Sequence, residues 1–261
     1  MIKVGFIGAG NMGGSIARSA YSTGHCEIYV CDKDEVKASA LAKDTSGKIL
    51  TQNEIFSQCD LVFLATKPNI VPFVAEVLNT PIKGTLVSMA AGVTLGKLGE
   101  LFGKDVPIIR IMPNTPILVG MGVMVYAKNE SVDDTGLNSF LTAVSNAGLV
   151  EEIAEENIDA ETAVAGCGPA FVYMFAAALA EGGVRAGLPH EAAIRYAAAT
   201  VKGAGEMILK DNRTPEELCQ AVCSPGGSTI EGVNFLRDAD FASTVADAII
   251  TSFEKTKKLG K

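Results

Sequence analysis

The sequence predicts an α/β protein in which a doubly wound, mostly parallel sheet comes first and an all-helical domain follows. Short apolar runs alternate with helix-like stretches through the first part of the chain, a pattern typical of parallel strands joined by crossover helices. A glycine-rich turn follows the first apolar run, and strand-like runs stop near residue 155. We therefore expect two domains, residues 1–155 and residues 156–261.

The predicted strands are rich in Val, Ile, Leu and Phe and are bounded by Gly, Asp or Pro, as strands buried on both faces are. They cover residues 3–7, 27–31, 61–65, 85–88, 106–112, 122–127 and 149–153, with a helix predicted near residues 133–147 between the last two.

Alanine-rich segments in the second part predict long helices, since alanine favours helix and lets helices approach closely. They cover residues 159–186, 190–210, 215–222 and 229–259, the last with a break near Asp238. So many small apolar faces need a partner to cover them. We therefore expect the helical domain to form the core of a homodimer.

One stretch of this part, residues 163–180, carries no charge and is long enough to raise the question of a membrane span. Gly166, Gly168 and Pro169 interrupt it, and glutamates flank it. We expect a helix buried all round by protein, with no membrane partner.

Charge and cysteine content exclude several classes of function. The net charge is −8 and no basic cluster is present, so a nucleic-acid partner is not expected. The six cysteines include no CxxC pair. Cys219 and Cys223 would share a helix face but have no histidine nearby, so no metal site is expected. Reduced thiols and a glycine-broken N-terminal segment without a cleavage pattern predict a cytoplasmic protein.

The glycine-rich turn, Gly8-Ala9-Gly10-Asn11-Met12-Gly13, follows a strand and opens a helix. The first glycine allows a tight turn, the second lets backbone amides approach a pyrophosphate, and the third lets the helix pack on the strand. An acidic residue, Asp32, ends the next strand. This context predicts a dinucleotide site in a Rossmann domain.

The choice between the two nicotinamide dinucleotides depends on that second strand end. Asp32 would accept hydrogen bonds from the ribose hydroxyls of NADH, whereas Lys33 beside it could meet the 2′-phosphate of NADPH. A solvated turn is the alternative for both residues. The acid weakly favours NADH, and NADPH stays open.

A second anion site is predicted where one helix ends and another begins, at Ser224-Pro225-Gly226-Gly227-Ser228-Thr229. The first amides of the new helix, at Gly227, Ser228 and Thr229, have no partner within the helix and could hold a carboxylate. The alternative is that Ser228 or Thr229 simply caps the helix.

Several segments carry a joint signature. Three of them lie at the carboxyl ends of predicted strands: Ala65-Thr66-Lys67-Pro68, Ser88-Met89-Ala90-Ala91-Gly92 and Arg110-Ile111-Met112-Pro113-Asn114-Thr115-Pro116. Two others lie in the helical part: Gly166-Cys167-Gly168-Pro169-Ala170-Phe171 and the Ser224–Thr229 loop. In this order, along essentially the whole chain, they resemble the pyrroline-5-carboxylate reductases.

The resemblance implies roles for residues. Gly8, Gly10, Asn11 and Met12 would hold the pyrophosphate, and the segment from Ala65 through Thr66 and Lys67 to Pro68 would flank the cofactor. Asn114 and Thr115 would lie near the nicotinamide, and Asn53 would touch the adenosine ribose. Ser224, Gly226, Gly227 and Ser228 would bind substrate, with Thr229 at its nitrogen. The resemblance further implies dimers with intertwined helical domains, often five in a ring.

Two positions depart from the family pattern. Ala165 and Cys167 stand where hydroxyl residues are usual, which puts a side-chain hydrogen bond from this loop in doubt. The expected reaction is reduction of 1-pyrroline-5-carboxylate to L-proline, the last step of proline biosynthesis, with Thr229 as the catalytic residue. The alternatives are a β-hydroxyacid dehydrogenase, which needs a lysine that residues 151–185 lack, and a non-catalytic nicotinamide sensor.

Overall fold

The computed structural model of the protein describes Met1–Leu259 and divides the chain into two compact units. Unit 1 contains Met1–Cys167 together with the segment from Ser252 onward, and unit 2 contains Gly168–Thr251. The division between the units falls after Cys167, whereas the sequence predicted a boundary after residue 155.

Unit 1 is built on one sheet of eight strands with the order β3-β2-β1-β4-β5-β6-β7-β8. The strands are β1 Ile2–Ile7, β2 Cys26–Cys31, β3 Lys48–Ile49, β4 Leu61–Leu64, β5 Thr85–Ser88, β6 Ile108–Pro113, β7 Gly122–Lys128 and β8 Gly148–Glu152. All neighbours are parallel except β6 and β7. Those two are joined by a single 3₁₀ turn, Thr115–Val119, which is too short for a parallel crossover.

Helices cover both faces of this sheet. They are α1 Asn11–Ser22, α2 Glu35–Asp44, α3 Gln52–Gln58, α4 Val71–Glu76, α5 Leu95–Phe102, α6 Asp134–Ala143 and the short α7 Ile158–Glu161. One core joins α1, α2 and α6 to the sheet through residues such as Ile16, Leu41 and Phe140. A second core on the opposite face joins α3, α4 and α5. The predicted doubly wound arrangement is confirmed, and the seven predicted strands are present.

Unit 2 is helical. Its helices are α8 Gly168–Arg185, α9 His190–Lys210, α10 Pro215–Ala221, α11 Ser228–Asp238 and α12 Phe241–Leu259, the last of which continues into unit 1. The predicted break near Asp238 is confirmed, and Asp240 takes a positive φ of 52° there. The buried core of unit 2 is small, with Ala180 of α8 facing Ala193 and Ala197 of α9.

The continuous helix predicted over residues 159–186 is wrong, because the segment is divided into α7, a π-helical turn Thr162–Gly166, and α8. The helical stretch Glu155–Arg185 is long and apolar enough to cross a membrane by length and composition, and 11% of its most apolar window is buried within one chain. Burial of this helix all round by protein therefore stays a prediction that needs a second protomer.

The uncovered face of unit 2 is rich in large apolar side chains. Tyr173, Met174, Leu209 and Phe235 are each more than half exposed. Exposed apolar side chains in such number are typical of an interaction surface in a folded protein.

Candidate active site

The glycine-rich turn has the geometry that a bound pyrophosphate requires. Gly8 takes a φ of 112°, and a Cβ there would collide with the carbonyl of Ala65. A Cβ on Gly13 would come within 2.5 Å of the Gly8 carbonyl oxygen and 2.6 Å of the Ala65 Cβ, so only glycine lets α1 pack this closely. Around Gly10 there is open space, which leaves room for a ligand against the backbone.

The first turn of α1 is open to a ligand. Gly10 is its N-cap residue, and no side chain caps the helix. The first turn also holds no acidic residue. Free amides and the positive end of the helix dipole therefore meet at this point, which suits an anion.

Asp32 is held against the same turn. Its Oδ2 accepts a hydrogen bond from the Ala9 amide at 2.6 Å, and its Oδ1 accepts one from the Asp34 amide at 2.8 Å. The carboxylate therefore belongs to the glycine-rich turn in space as well as in sequence. Lys33 beside it is exposed and forms no ion pair among the described residues.

The end of β4 contributes the next part of this edge. The Ala65 amide donates to the Ile7 carbonyl at 2.9 Å, which places the β4 end beside the glycine-rich turn. The hydroxyl oxygen of Thr66 is buried without a hydrogen-bond partner among the described residues. Such groups are normally paired, so an unpaired one at a ligand edge indicates a missing partner. Lys67 is exposed, and Pro68 begins a 3₁₀ turn.

Asn114 has a structural role at the end of β6. Its Oδ1 accepts from the Val123 amide at 2.8 Å, and its Nδ2 donates to the Ala165 carbonyl at 3.0 Å. The side chain is buried and joins the strand end to the π-helical turn, in which Ala165 participates through its backbone. Thr115 next to it is exposed.

The amide group of Asn53 is engaged within the chain. It lies in the first turn of α3, where its Oδ1 accepts from the Asn79 amide at 3.1 Å and its Nδ2 donates to the Val77 carbonyl at 3.5 Å. Its assignment to the adenosine ribose therefore stays a prediction.

Two polar residues of unit 1 were not predicted from the sequence to belong to this region. Arg110, buried within β6, donates to Glu155 at 3.0 Å and to Asp159 at 3.3 Å. An arginine in an otherwise apolar strand was the available signal. Glu161, at the start of the π-helical turn, has both carboxyl oxygens buried without a hydrogen-bond partner within Met1–Leu259, and burial raises its pKa to about 7. Its signal was an acid directly before an apolar, charge-free stretch.

The second predicted anion site lies in unit 2. Gly227 is the N-cap of α11, and no side chain among the described residues caps the helix, so the alternative in which Ser228 or Thr229 serves as the cap is excluded. Ser228 and Thr229 instead begin the helix and are exposed, and Gly226 has a φ of 71° that lets the chain turn into it. The backbone amides at the start of α11, which the sequence predicts to bind a substrate carboxylate, therefore have no capping side chain among the described residues.

The residues present thus fit a dinucleotide in unit 1. Open space at Gly10, an uncapped α1, an unpaired Thr66 hydroxyl and a fixed Asp32 carboxylate surround one strand edge. Among the described residues, no group of three or more His, Cys, Asp or Glu side chains could hold a metal ion.

Two family models match the chain. Residues 155–259 match the pyrroline-5-carboxylate reductase dimerisation model, and residues 3–92 match the model for coenzyme F420-dependent NADP oxidoreductases.

Full-length relatives agree with these matches. The pyrroline-5-carboxylate reductase of Escherichia coli is 37% identical over 266 residues, covering 99% of this chain and 98% of the relative. The crystal structure of Plasmodium falciparum pyrroline carboxylate reductase with NADP bound has a TM-score of 0.86 at 32% identity, covering 100% and 98% of the two chains. The Streptococcus pyogenes 1-pyrroline-5-carboxylate reductase has a TM-score of 0.89 at 29% identity, covering 98% of each. The chain therefore belongs to the pyrroline-5-carboxylate reductase family.

Proposed function

We propose that this protein reduces 1-pyrroline-5-carboxylate to L-proline with NAD(P)H, the last step of proline biosynthesis. The proposal rests on one observation: this chain has two helix N-termini that no side chain caps. One is α1, which follows the glycine-rich turn, and the other is α11, which follows Ser224-Pro225-Gly226-Gly227. Each is suited to an anion, the first to a pyrophosphate and the second to a carboxylate.

The cofactor would be held by residues of unit 1. Gly8, Gly10, Asn11 and Met12 would surround the pyrophosphate, and Thr66 would gain a partner for its unpaired hydroxyl. Lys67 and Pro68 would flank the cofactor, with Thr115 near its nicotinamide. When bound, the reduced nicotinamide supplies a hydride for the imine carbon, and the protein supplies orientation.

We propose a weak preference for NADH. The Asp32 carboxylate is fixed by the Ala9 and Asp34 amides, and a negative charge held at the ribose end opposes a 2′-phosphate. The Plasmodium falciparum relative was crystallised with NADP, so family membership does not decide the preference. A large NADPH advantage in kcat/KM would contradict the proposal.

The substrate would be held by residues of unit 2. Its carboxylate would accept hydrogen bonds from the amides at Gly227, Ser228 and Thr229, with Ser224 and Gly226 shaping the loop. The Thr229 hydroxyl would contact the ring nitrogen. Because a threonine hydroxyl is a weak acid, it would orient the protonated imine or relay a proton from water.

The two alternative functions, a β-hydroxyacid dehydrogenase and a non-catalytic nicotinamide sensor, explain fewer features of the sequence and structure. A β-hydroxyacid dehydrogenase would need a lysine acid–base on the helix after the sheet, and residues 151–185 contain none. A sensor without catalysis would bind the cofactor in unit 1 but has no need for a second anion site at α11.

We infer the oligomeric state of the protein from its exposed apolar surface and its cellular location from its cysteine content. The family model that matches residues 155–259 describes a dimerisation region, and the exposed apolar face of unit 2 supports a homodimer, with a ring of five dimers as the larger assembly. Six free cysteines support a cytoplasmic protein, and we propose neither nucleic acid nor membrane as a partner.

The test is oxidation of NADH or NADPH, followed by absorbance, with 1-pyrroline-5-carboxylate as substrate. Thr229→Ala should lower kcat/KM by about ten- to a hundredfold, the loss of about 1–3 kcal/mol in the transition state. Thr229→Ser keeps the hydroxyl and should retain most of the activity. Absence of turnover with either cofactor would favour the sensor, and wild-type kcat/KM in Thr229→Ala would remove Thr229 from the mechanism.

A further inference from the structure

Two thiols lie directly before the loop assigned to the substrate carboxylate. Cys219 is in the last turn of α10, and Cys223 precedes Ser224. The backbone keeps turning after the helix ends, because the Val222 amide donates to the Cys219 carbonyl at 3.3 Å and the Cys223 amide to the Gln220 carbonyl at 3.0 Å. Residues 219 and 223 therefore lie one turn apart on the same side of the chain.

Both thiols are partly exposed, and Arg237 lies close enough to act on the thiol of Cys223. Burial raises the pKa of the Cys223 thiol, the charge of Cys219 and a hydrogen bond with its thiol raise it further, and the Arg237 guanidinium lowers it. Arg237 and Cys219 also line one apolar cavity together with Leu236 and Phe241, so a small molecule can enter beside Cys219. The raised pKa keeps the Cys223 thiol protonated, so its reaction needs the proton to leave first, while its partial exposure lets a small oxidant reach it.

No other two cysteines stand this close along one helix. Cys26 and Cys31 begin and end the extended strand β2, which keeps them about 16 Å apart at about 3.3 Å per residue. Cys59 is buried at the end of α3. The position of Cys219 and Cys223 therefore distinguishes them from the other thiols.

We propose that Cys219 and Cys223 are a modification site at which an intramolecular disulfide forms and withdraws the adjoining Ser224–Thr229 loop from substrate binding. The oxidant is a low-molecular-weight disulfide. The Cys219 thiolate attacks one of its sulfurs and releases one thiolate, and the Cys223 thiolate then attacks the mixed disulfide and releases the second. The two protons lost by the cysteines end on the two released thiols, so the oxidant is reduced as the cysteine pair is oxidised.

The coupling to the loop follows from the distances. Cβ atoms one helical turn apart are about 5–6 Å from each other, whereas a disulfide brings them to about 3.8 Å. Closing the bond must therefore move backbone by roughly 1–2 Å. Cys219 is held within α10, whose N-terminus is fixed by the Thr214 and Glu217 capping box. The movement falls on Cys223 and the loop that follows it.

The effect on catalysis rests on the proposed function, whereas the disulfide does not. The first experiment incubates the whole protein with glutathione disulfide and maps its tryptic peptides. Cys219 and Cys223 fall in one peptide, residues 214–237, because no lysine or arginine interrupts it. We expect this peptide to lose two hydrogens, and the loss to be reversed by dithiothreitol. A peptide that keeps both thiols free, or carries only glutathione, would overturn the proposal.

The second experiment measures the kinetics of the same samples. Oxidation should raise KM for 1-pyrroline-5-carboxylate by about tenfold or more, the equivalent of one lost hydrogen bond to a charged group, and leave KM for the cofactor unchanged. Cys219→Ser should keep normal activity and become insensitive to the oxidant, and Cys26→Ser should respond as the wild type does. An unchanged KM in fully oxidised protein, or inhibition that persists in Cys219→Ser, would contradict the coupling. A reduced protein without turnover would refute the proposed function, and the peptide map would still decide the disulfide.

Discussion

The carboxyl group of Glu161 should make the stability of the folded protein depend on pH, and Glu161→Gln should remove that dependence. Both carboxyl oxygens are buried without a hydrogen-bond partner in the part of the chain that the structure describes, and burial raises the pKa of this group from its ordinary 4.5 to about 7. Between these two values the folded protein keeps a proton that the unfolded chain releases. The contribution to stability is therefore complete below pH 4.5 and is lost as the pH rises through 7.

The size of the effect follows from the difference between the two pKa values. At about 1.36 kcal/mol per pH unit, a difference of 2.5 (7 minus 4.5) corresponds to about 3 kcal/mol for a fully enclosed carboxyl. Glu161 as a whole keeps part of its surface exposed, so water screens the charge and reduces the effect. We expect the wild type to lose about 1–2 kcal/mol over this interval relative to Glu161→Gln.

The measurement is urea unfolding of both proteins from about pH 5 to about pH 8, at one protomer concentration because association adds to apparent stability. The other carboxyl groups titrate equally in both proteins and cancel in the difference. Glu156→Gln changes an exposed neighbour in the same segment and should keep the wild-type dependence. Parallel pH profiles for the wild type and Glu161→Gln would refute the burial of an unpaired acid at this site.

Three further predictions test other parts of the structure. Gly13→Ala should lower the free energy of unfolding by about 1–3 kcal/mol and weaken NADH binding, because the added Cβ collides with the Gly8 backbone. Gly14→Ala should be tolerated, because the Cβ added there comes close only to the flexible Arg18 side chain. Equal thermal shifts for the two variants would contradict this prediction. Arg110→Met should cost about 2–4 kcal/mol in urea unfolding, because Glu155 and Asp159 lose their cation, and Arg185→Met, in an exposed pair, should change little. Asp32→Asn should shift the kcat/KM ratio toward NADPH by about tenfold, and an unchanged ratio would remove Asp32 from cofactor selection.

The fold was predictable from the sequence wherever local patterns agree with the tertiary environment. Strands such as Thr85–Ser88 and the helix His190–Lys210 were predicted with the bounds that the structure has, because each is a continuous run bounded by residues that end it. The strand Lys48–Ile49 was missed, since two exposed residues carry no periodicity. The π-helical turn was missed because its residues also suit an α-helix.

The candidate site was predictable in its anion-binding turns but not in its supporting contacts. Glycines at this spacing, between a strand and a helix, are typical of a dinucleotide-binding turn, so Gly8 and Gly13 could be assigned directly. Asn114 was expected near a ligand, yet its amide joins Val123 to Ala165, residues 9 and 51 positions away in sequence. No local pattern specifies a contact across such separations.

The sequence by itself determined the order of strands and helices, the two turns that expose helix amides and the family to which the chain belongs, because all of these depend on the identity and spacing of neighbouring residues. The tertiary structure alone decided which polar groups are paired. It gave Arg110 two carboxylate partners and left Glu161 without any, and it left the apolar face of unit 2 uncovered within one chain. The physical reason is that desolvation and pairing depend on what packs around a side chain, and that packing is brought together from distant parts of the chain.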